Sequence, residues 1–210
     1  MKILIADDHS IVRRGLRQII ATRPGWTVAA EVASAEEVLP ALRREAFDVV
    51  ILDVSFAARS GMDLIAEIRA ELPALPVLML SMHAEDQYAL RCLRAGASGY
   101  VQKDRSPEEL IIAIERVVAG RRYMSDAVAA QLASETDANR EKPLHERLSA
   151  REFEVFRLLA AGRGATEIAE LLGISVKTAS TYRARILEKT GFRTNADLVA
   201  YALRMGLLAL

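Results

Sequence analysis

Apolar residues follow two rhythms along this chain, and the change of rhythm divides it. In the first part, short unbroken apolar runs alternate with stretches of helical spacing. Val49-Val50-Ile51-Leu52 is the central run, and Asp53 follows at once. A run without alternation reads as a strand buried on both faces, as in the middle of a parallel sheet. Ile3-Leu4-Ile5-Ala6, closed by Asp7-Asp8, has the same form, as does 76–80, closed by Ser81. Tyr100-Val101-Gln102, closed by Lys103, is a shorter strand, and residues 26–33 are a further one. Between them, His9-Ser10 opens a helix whose Ile11, Val12, Leu16, Ile19 and Ile20 lie near helical spacing, until Pro24-Gly25 stops it. Ser34 to Glu37 and Ser106 to Glu109 read as capping boxes, the second with Pro107 at the first helical position. Helices are also predicted over 62–71 and 85–95, ended by Pro73 and Gly96. Five strands alternating with five helices over residues 1–120 predict an α/β doubly wound five-stranded parallel sheet.

Residues 121–143 read as a linker: a short amphipathic helix over 127–132, then a polar stretch from Ser134 to Lys142 without apolar period. Residues 144–210 are helical throughout. A Ser149–Glu152 capping box opens the first helix, with Phe153, Val155, Phe156, Leu158 and Leu159 on its apolar side. A short helix over 166–172 meets the turn Gly173-Ile174-Ser175, and Ser175 caps a third helix over 176–190. Thr194 opens the last helix. Two helices joined by a short Gly-containing turn make a helix-turn-helix. In the third helix Val176, Ala179 and Ile186 are assigned to the core, with Tyr182 as a further candidate. Lys177, Ser180, Thr181 and Ala184 fall on one exposed face, and Arg183, Arg185 and Lys189 form a basic rim. Small polar residues let a helix enter the major groove while the rim meets phosphates. An ordinary solvated helix surface would show the same pattern.

Charge sharpens this division. The whole chain is formally neutral, with 28 basic and 28 acidic residues. Residues 1–120 nevertheless carry a net −3 and residues 144–210 a net +3, so the two parts are expected to meet different partners. The single Cys92 excludes an internal disulfide, and no apolar run reaches the ~18 residues of a membrane span. With strand pattern following directly on Met1-Lys2, no signal peptide is expected, and the chain is expected to be soluble and cytoplasmic.

The chemistry lies at the strand ends. Parallel strands place all their carboxyl ends on one edge, where open α/β sheets hold their sites. Asp7, Asp8, Asp53, Ser81 and Lys103 should therefore converge. Three carboxylates in one crevice repel one another and require a cation. Oxygen donors with spare positions suit Mg2+, which favours a phosphate partner. Lys103 adds a mobile point charge and Ser81 a hydroxyl. A carboxylate nucleophile, a metal, a lysine and a hydroxyl make an acyl-phosphate site. The other readings are a salt-bridged cluster at loop ends, or Asp53 as a loop cap.

With Asp7-Asp8, Asp53, Ser81, Tyr100 and Lys103 in this order, residues 1–120 resemble a CheY-like receiver domain. The resemblance implies that Asp53 accepts a phosphoryl group from a sensor histidine kinase. It implies that Asp8 and Asp53 hold Mg2+ directly, with Asp7 acting through water and the Ser55 carbonyl as a further ligand. Tyr100 would turn inward as Ser81 moves; a half-buried aromatic is the plainer alternative. Phe56-Ala57 replaces the family's Met-Pro, whereas Gly61 stands where expected. The stretch from Leu148 to Leu208 resembles the LuxR-type helix-turn-helix, through Ser149-Ala-Arg-Glu152, Glu167-Ile-Ala169, Leu172-Gly-Ile-Ser175, Lys177-Thr178 and Ile186-Leu-Glu-Lys189. Gly164-Ala165 replaces Ser-Asn and removes a side-chain cap of about 1 kcal/mol; Ala179 and Thr190 replace larger residues. Together these imply a response regulator of the NarL/FixJ type: not an enzyme, but a phosphorylation-switched transcription regulator that dimerises on paired DNA half-sites. A phosphotransferase with an Asp nucleophile would want a second carboxylate at position 55, which is Ser. A regulator answering to a small apolar ligand would not need the acidic edge.

Overall fold

Unbroken apolar runs become strands because both of their faces find cover. The computed structural model describes residues 1–56, 60–82, 85–134 and 143–208. The strands are β1 (Lys2–Ala6), β2 (Thr27–Val32), β3 (Val49–Asp53), β4 (Val77–Ser81) and β5 (Gly99–Gln102). They form one parallel sheet in the order β2-β1-β3-β4-β5. Helices α1 (Ser10–Ala21), α2 (Ala35–Arg44), α3 (Gly61–Glu71), α4 (Glu85–Ala95) and α5 (Pro107–Val118) alternate with the strands. Ile3, Ile5, Val49, Ile51, Leu78, Leu80 and Val101 cover one face of the sheet against Leu16 and Ile20 of α1 and Leu110, Ala113, Ile114 and Val117 of α5. Their neighbours Leu4, Val50, Leu52 and Met79 are equally buried on the opposite face, as the alternation of side chains along a strand requires. This is the doubly wound sheet expected from the sequence.

Local details depart from the sequence reading. Ile11, assigned to the apolar face of α1, is 86% exposed. Ser34 makes no side-chain cap bond; Glu37 Oε2 accepts the Ala33 N–H instead. Ser106 accepts the Glu109 N–H, the forward half of its box. Past α5 the chain does not leave at once. Tyr123 bridges in parallel to Gly99 at the β5 edge, its carbonyl accepting the Tyr100 N–H. Helix α6 (Asp126–Ser134) then lies against α4. The first compact unit accordingly runs Met1–Ala138 and the second Asn139–Leu210.

The second unit has a 3₁₀ turn (Leu144–Arg147) and helices α7 (Ala150–Ala160), α8 (Ala165–Leu172), α9 (Val176–Thr190) and α10 (Asn195–Arg204). Its core centres on Phe153, Phe156, Ile186 and Leu198, each at most 1% exposed, with Tyr201 beside them. The Ser149–Glu152 capping box is complete. Gly164 lacks a capping side chain, yet Glu167 Oε2 still accepts its N–H at 2.9 Å. Arg151, buried and invisible to an apolar pattern, donates to Glu154 Oε2 at 2.6 Å and to the Leu172 carbonyl at 2.8 Å, tying α7 to the end of α8. Gly173 closes α8 at φ +63°, a backbone region that suits glycine. No helix among the described residues is long and apolar enough to cross a membrane.

Candidate functional site

Strand register builds the site. Ala6 is level with Leu52, so Asp7 and Asp53 leave neighbouring strands side by side. They do so between β1 and β3, where the strand order reverses. Ser81 closes β4 opposite Gln102, and the Lys103 N–H donates to the Ser81 carbonyl at 2.7 Å. Lys103 Nζ then reaches back across the edge, 2.7 Å from Asp53 Oδ2 and 2.8 Å from Asp7 Oδ2. Asp53 Oδ1 accepts the Ser55 N–H at 3.2 Å. Asp7, Asp53 and Ser81 are buried, while Asp8 stands a quarter exposed at the mouth.

Sequence reasoning passed over one member of this cluster. The apolar pattern places His9 only at the start of α1, yet its Nδ1 lies 2.7 Å from Asp8 Oδ1, 3.1 Å from Asp7 Oδ1 and 3.8 Å from Asp53 Oδ2. One ligand atom from each of Asp7, Asp8, His9 and Asp53 falls within 4.8 Å of all the others. The available signal was adjacency to Asp7-Asp8.

The charges are under tension. Burial, reinforced by the Asp7 charge, pushes the Asp53 carboxyl up to about 6, although Lys103 and the Ser55 N–H oppose the rise. Burial works against the Lys103 ammonium too, but Asp53 and Asp7 outweigh it and raise its pKa above the usual lysine value. Asp7, Asp8 and Asp53 bring carboxylate oxygens together at one point, and a cluster of hard oxygen donors fits a hard divalent cation.

Around this edge, Ser60 caps α3 and donates its hydroxyl to the Val54 carbonyl at 3.1 Å, and the Gly61 N–H reaches the same carbonyl at 2.8 Å. A Cβ on Gly61 would stand 1.8 Å from the Asp53 carbonyl oxygen, so glycine is required here for space alone. Phe56 is buried; Ala57, its partner in the unusual pair, lies outside the described residues. Tyr100 is 1% exposed, fully inside rather than half-buried.

In the second unit, α9 exposes Lys177, Ser180, Thr181 and Ala184 along one face, as the spacing predicts. The core side differs. Val176 is 46% exposed, whereas Thr190 is buried, as Ala179 and Ile186 are, its hydroxyl donating to the Ile186 carbonyl at 2.6 Å. Of the rim, Arg185 is exposed. Arg183 Nε donates to Asn195 Oδ1 at 2.9 Å, and Lys189 Nζ to the buried Glu152 Oε2 at 2.7 Å. Burial alone would raise the Glu152 pKa; Lys189 and the Ser149 bonds outweigh it and hold the carboxyl below its usual value.

Residues 3–115 match the response regulator receiver domain family, and residues 146–202 match the luxR family of bacterial regulatory proteins. The chain belongs to the NarL/FixJ-type two-component response regulators. It is 31% identical to response regulator UvrY of Escherichia coli K12, across 99% of this chain and 95% of that one. It is 36% identical to the transcriptional regulatory protein MctR of Rhizobium johnstonii, across 100% and 96%. Among solved structures it resembles RcsB of Salmonella enterica serovar Typhimurium bound to promoter rprA in the presence of the phosphomimetic BeF3−. That match has a TM-score of 0.62 at 26% identity, covering 96% of this chain and 97% of RcsB. A response regulator of this family is a transcription regulator with a LuxR-type DNA-binding domain, not an enzyme.

Proposed function

We propose that Asp53 is the phosphoacceptor of this response regulator, taking its phosphoryl group from a sensor histidine kinase. The observation that carries this is the geometry at Asp53: a buried carboxylate at the end of the central strand, 2.7 Å from Lys103 Nζ and grouped with Asp7 and Asp8. An Asp53 oxygen attacks phosphorus, the bond to the kinase imidazole breaks, and the imidazole leaves with that electron pair. Asp7, Asp8, Asp53 and the Ser55 carbonyl would hold Mg2+, which supplies positive charge to the phosphoryl oxygens. Lys103 exchanges its contact with the Asp53 carboxylate for one with a phosphoryl oxygen. The Ser81 hydroxyl, on the neighbouring strand end, is the remaining donor, and buried Tyr100 is the side chain that records its movement.

In this reading residues 1–120 receive the signal, 121–143 link, and 144–210 bind DNA in the cytoplasm. Lys177, Ser180, Thr181 and Ala184 enter the major groove, flanked by Arg183, Arg185 and Lys189. Phosphorylation favours a homodimer, which places two recognition helices on paired half-sites. Incubation with a small acyl phosphate and Mg2+ tests the central step. Acid-stable, base-labile label should appear on the wild type and be absent from Asp53→Asn, whose amide is not a nucleophile. Equal labelling of the two would sink the assignment.

A further inference from the structure

His9 occupies the N-cap of α1, where a short oxygen-bearing side chain normally satisfies the first free N–H groups. Its ring makes no cap bond. Instead the His9 N–H is anchored on Asp7 Oδ1 at 2.8 Å, and the imidazole turns towards the acids. Its Nδ1 lies 2.7, 3.1 and 3.8 Å from oxygens of Asp8, Asp7 and Asp53. Two ligands at right angles, each about 2.1 Å from one ion, lie about 3 Å apart, and these separations bracket that distance. The ring is 62% exposed, so an ion reaches Nδ1 without opening the core. In the tautomer with its proton on Nε2, Nδ1 presents a lone pair to the cluster.

We propose that His9 Nδ1 is a metal ligand of this site, turning an all-oxygen Mg2+ site into a nitrogen–oxygen site that prefers Mn2+ and later first-row divalent ions. The proposal rests on the reading of the acidic edge as a cation site. Carboxylates and carbonyls suit Mg2+, while an imidazole adds affinity for transition metals in their usual order. Asp7, Asp8 and Asp53 would still bind Mg2+ alone; His9 contributes where the ion accepts nitrogen.

Pulsed electron paramagnetic resonance of the full chain loaded with Mn2+ tests this directly. Deep ¹⁴N modulation from a bound imidazole is expected in the wild type and its loss in His9→Ala. The variant should also bind Mn2+ about tenfold more weakly or worse, with a smaller change for Mg2+, so that the preference between the two ions narrows. Bound Mn2+ without nitrogen modulation, or modulation that survives in His9→Ala, would overturn the assignment and leave His9 as a pairing group for Asp8. That result would leave the cation reading of the acidic edge standing. Absence of any Mn2+ binding removed by Asp8→Asn would overturn both.

Discussion

Asp53 is held ionised against its surroundings. Its carboxyl, ordinarily near 3.8, rises to about 6 because burial and Asp7 outweigh Lys103. A group whose folded pKa is raised contributes stability that is full below its unfolded pKa and is lost as pH climbs through the folded one. Metal-free wild type should therefore lose ground to Asp53→Asn between about pH 4 and pH 7, since the amide does not titrate. The differential is on the order of 1–3 kcal/mol. Urea unfolding in chelator at pH 4.5 and pH 7.5 measures it, and a wild-type/variant difference that is the same at both pH values contradicts the charge account. The same tension explains why a carboxylate here would gain from a divalent cation or a phosphoryl–lysine contact: each offsets the cost of keeping Asp53 ionised in a buried site.

At the scale of elements, two glycines at helix N-termini show how one residue type serves different physics. Gly164 at the start of α8 has open space around it, with only Glu167 Oε2 at 3.7 Å from an added Cβ. Gly61 at the start of α3 has none, because the helix begins against the Asp53 carbonyl. Gly61→Ala should destabilise the receiver by about 1–3 kcal/mol and, by moving the end of β3, slow labelling of Asp53. Gly164→Ala should leave Asp53 labelling untouched. Urea midpoints and labelling rates of the two variants make the comparison; a neutral Gly61→Ala would show that β3 and α3 separate at little cost. In the second unit, α7 and α9 are held together across 37 residues of sequence by Glu152 and Lys189. Lys189 is therefore part of the fold as well as of the helix proposed to read DNA.

For the whole molecule, a neutral chain divides into an acidic front and a basic back. DNA binding through one short helix per copy contacts few base pairs, and pairing two copies raises affinity and specificity together. The affinity of the phosphorylated protein for a paired site should fall steeply with salt, with a log–log slope of about −0.9 per phosphate neutralised. Exposed Lys177 and Arg185 should each account for about one unit of that slope on alanine substitution. Lys189→Ala should lower stability more than slope, because it leaves the Glu152 charge buried without its ammonium. Fluorescence-anisotropy titrations over a salt series, with sedimentation of free and bound protein, measure both slope and stoichiometry. A phosphorylated protein that stays monomeric free and on paired DNA would remove the dimer mechanism.

Local pattern along the chain is enough to place the elements and the edge on which the chemistry sits. Unbroken runs such as Val49–Leu52 read as doubly covered strands, and alternation with helices predicts a parallel sheet, which places Asp7, Asp53, Ser81 and Lys103 on one edge. The complete Ser149–Glu152 box and the turn at Gly173 were legible for the same local reason: each depends on residues within a few positions. Tertiary structure decided what depends on partners far along the chain. Helical period assigns a face only to within a residue, and packing chose to expose Ile11 and Val176 while burying Thr190. Register, not spacing, set Lys103 between Asp7 and Asp53, 50 positions from the latter. The direction of the His9 ring, the contact of Gly61 with the Asp53 carbonyl and the burial of Arg151 follow from which surfaces meet after folding, and no one-dimensional pattern of polar and apolar residues records that.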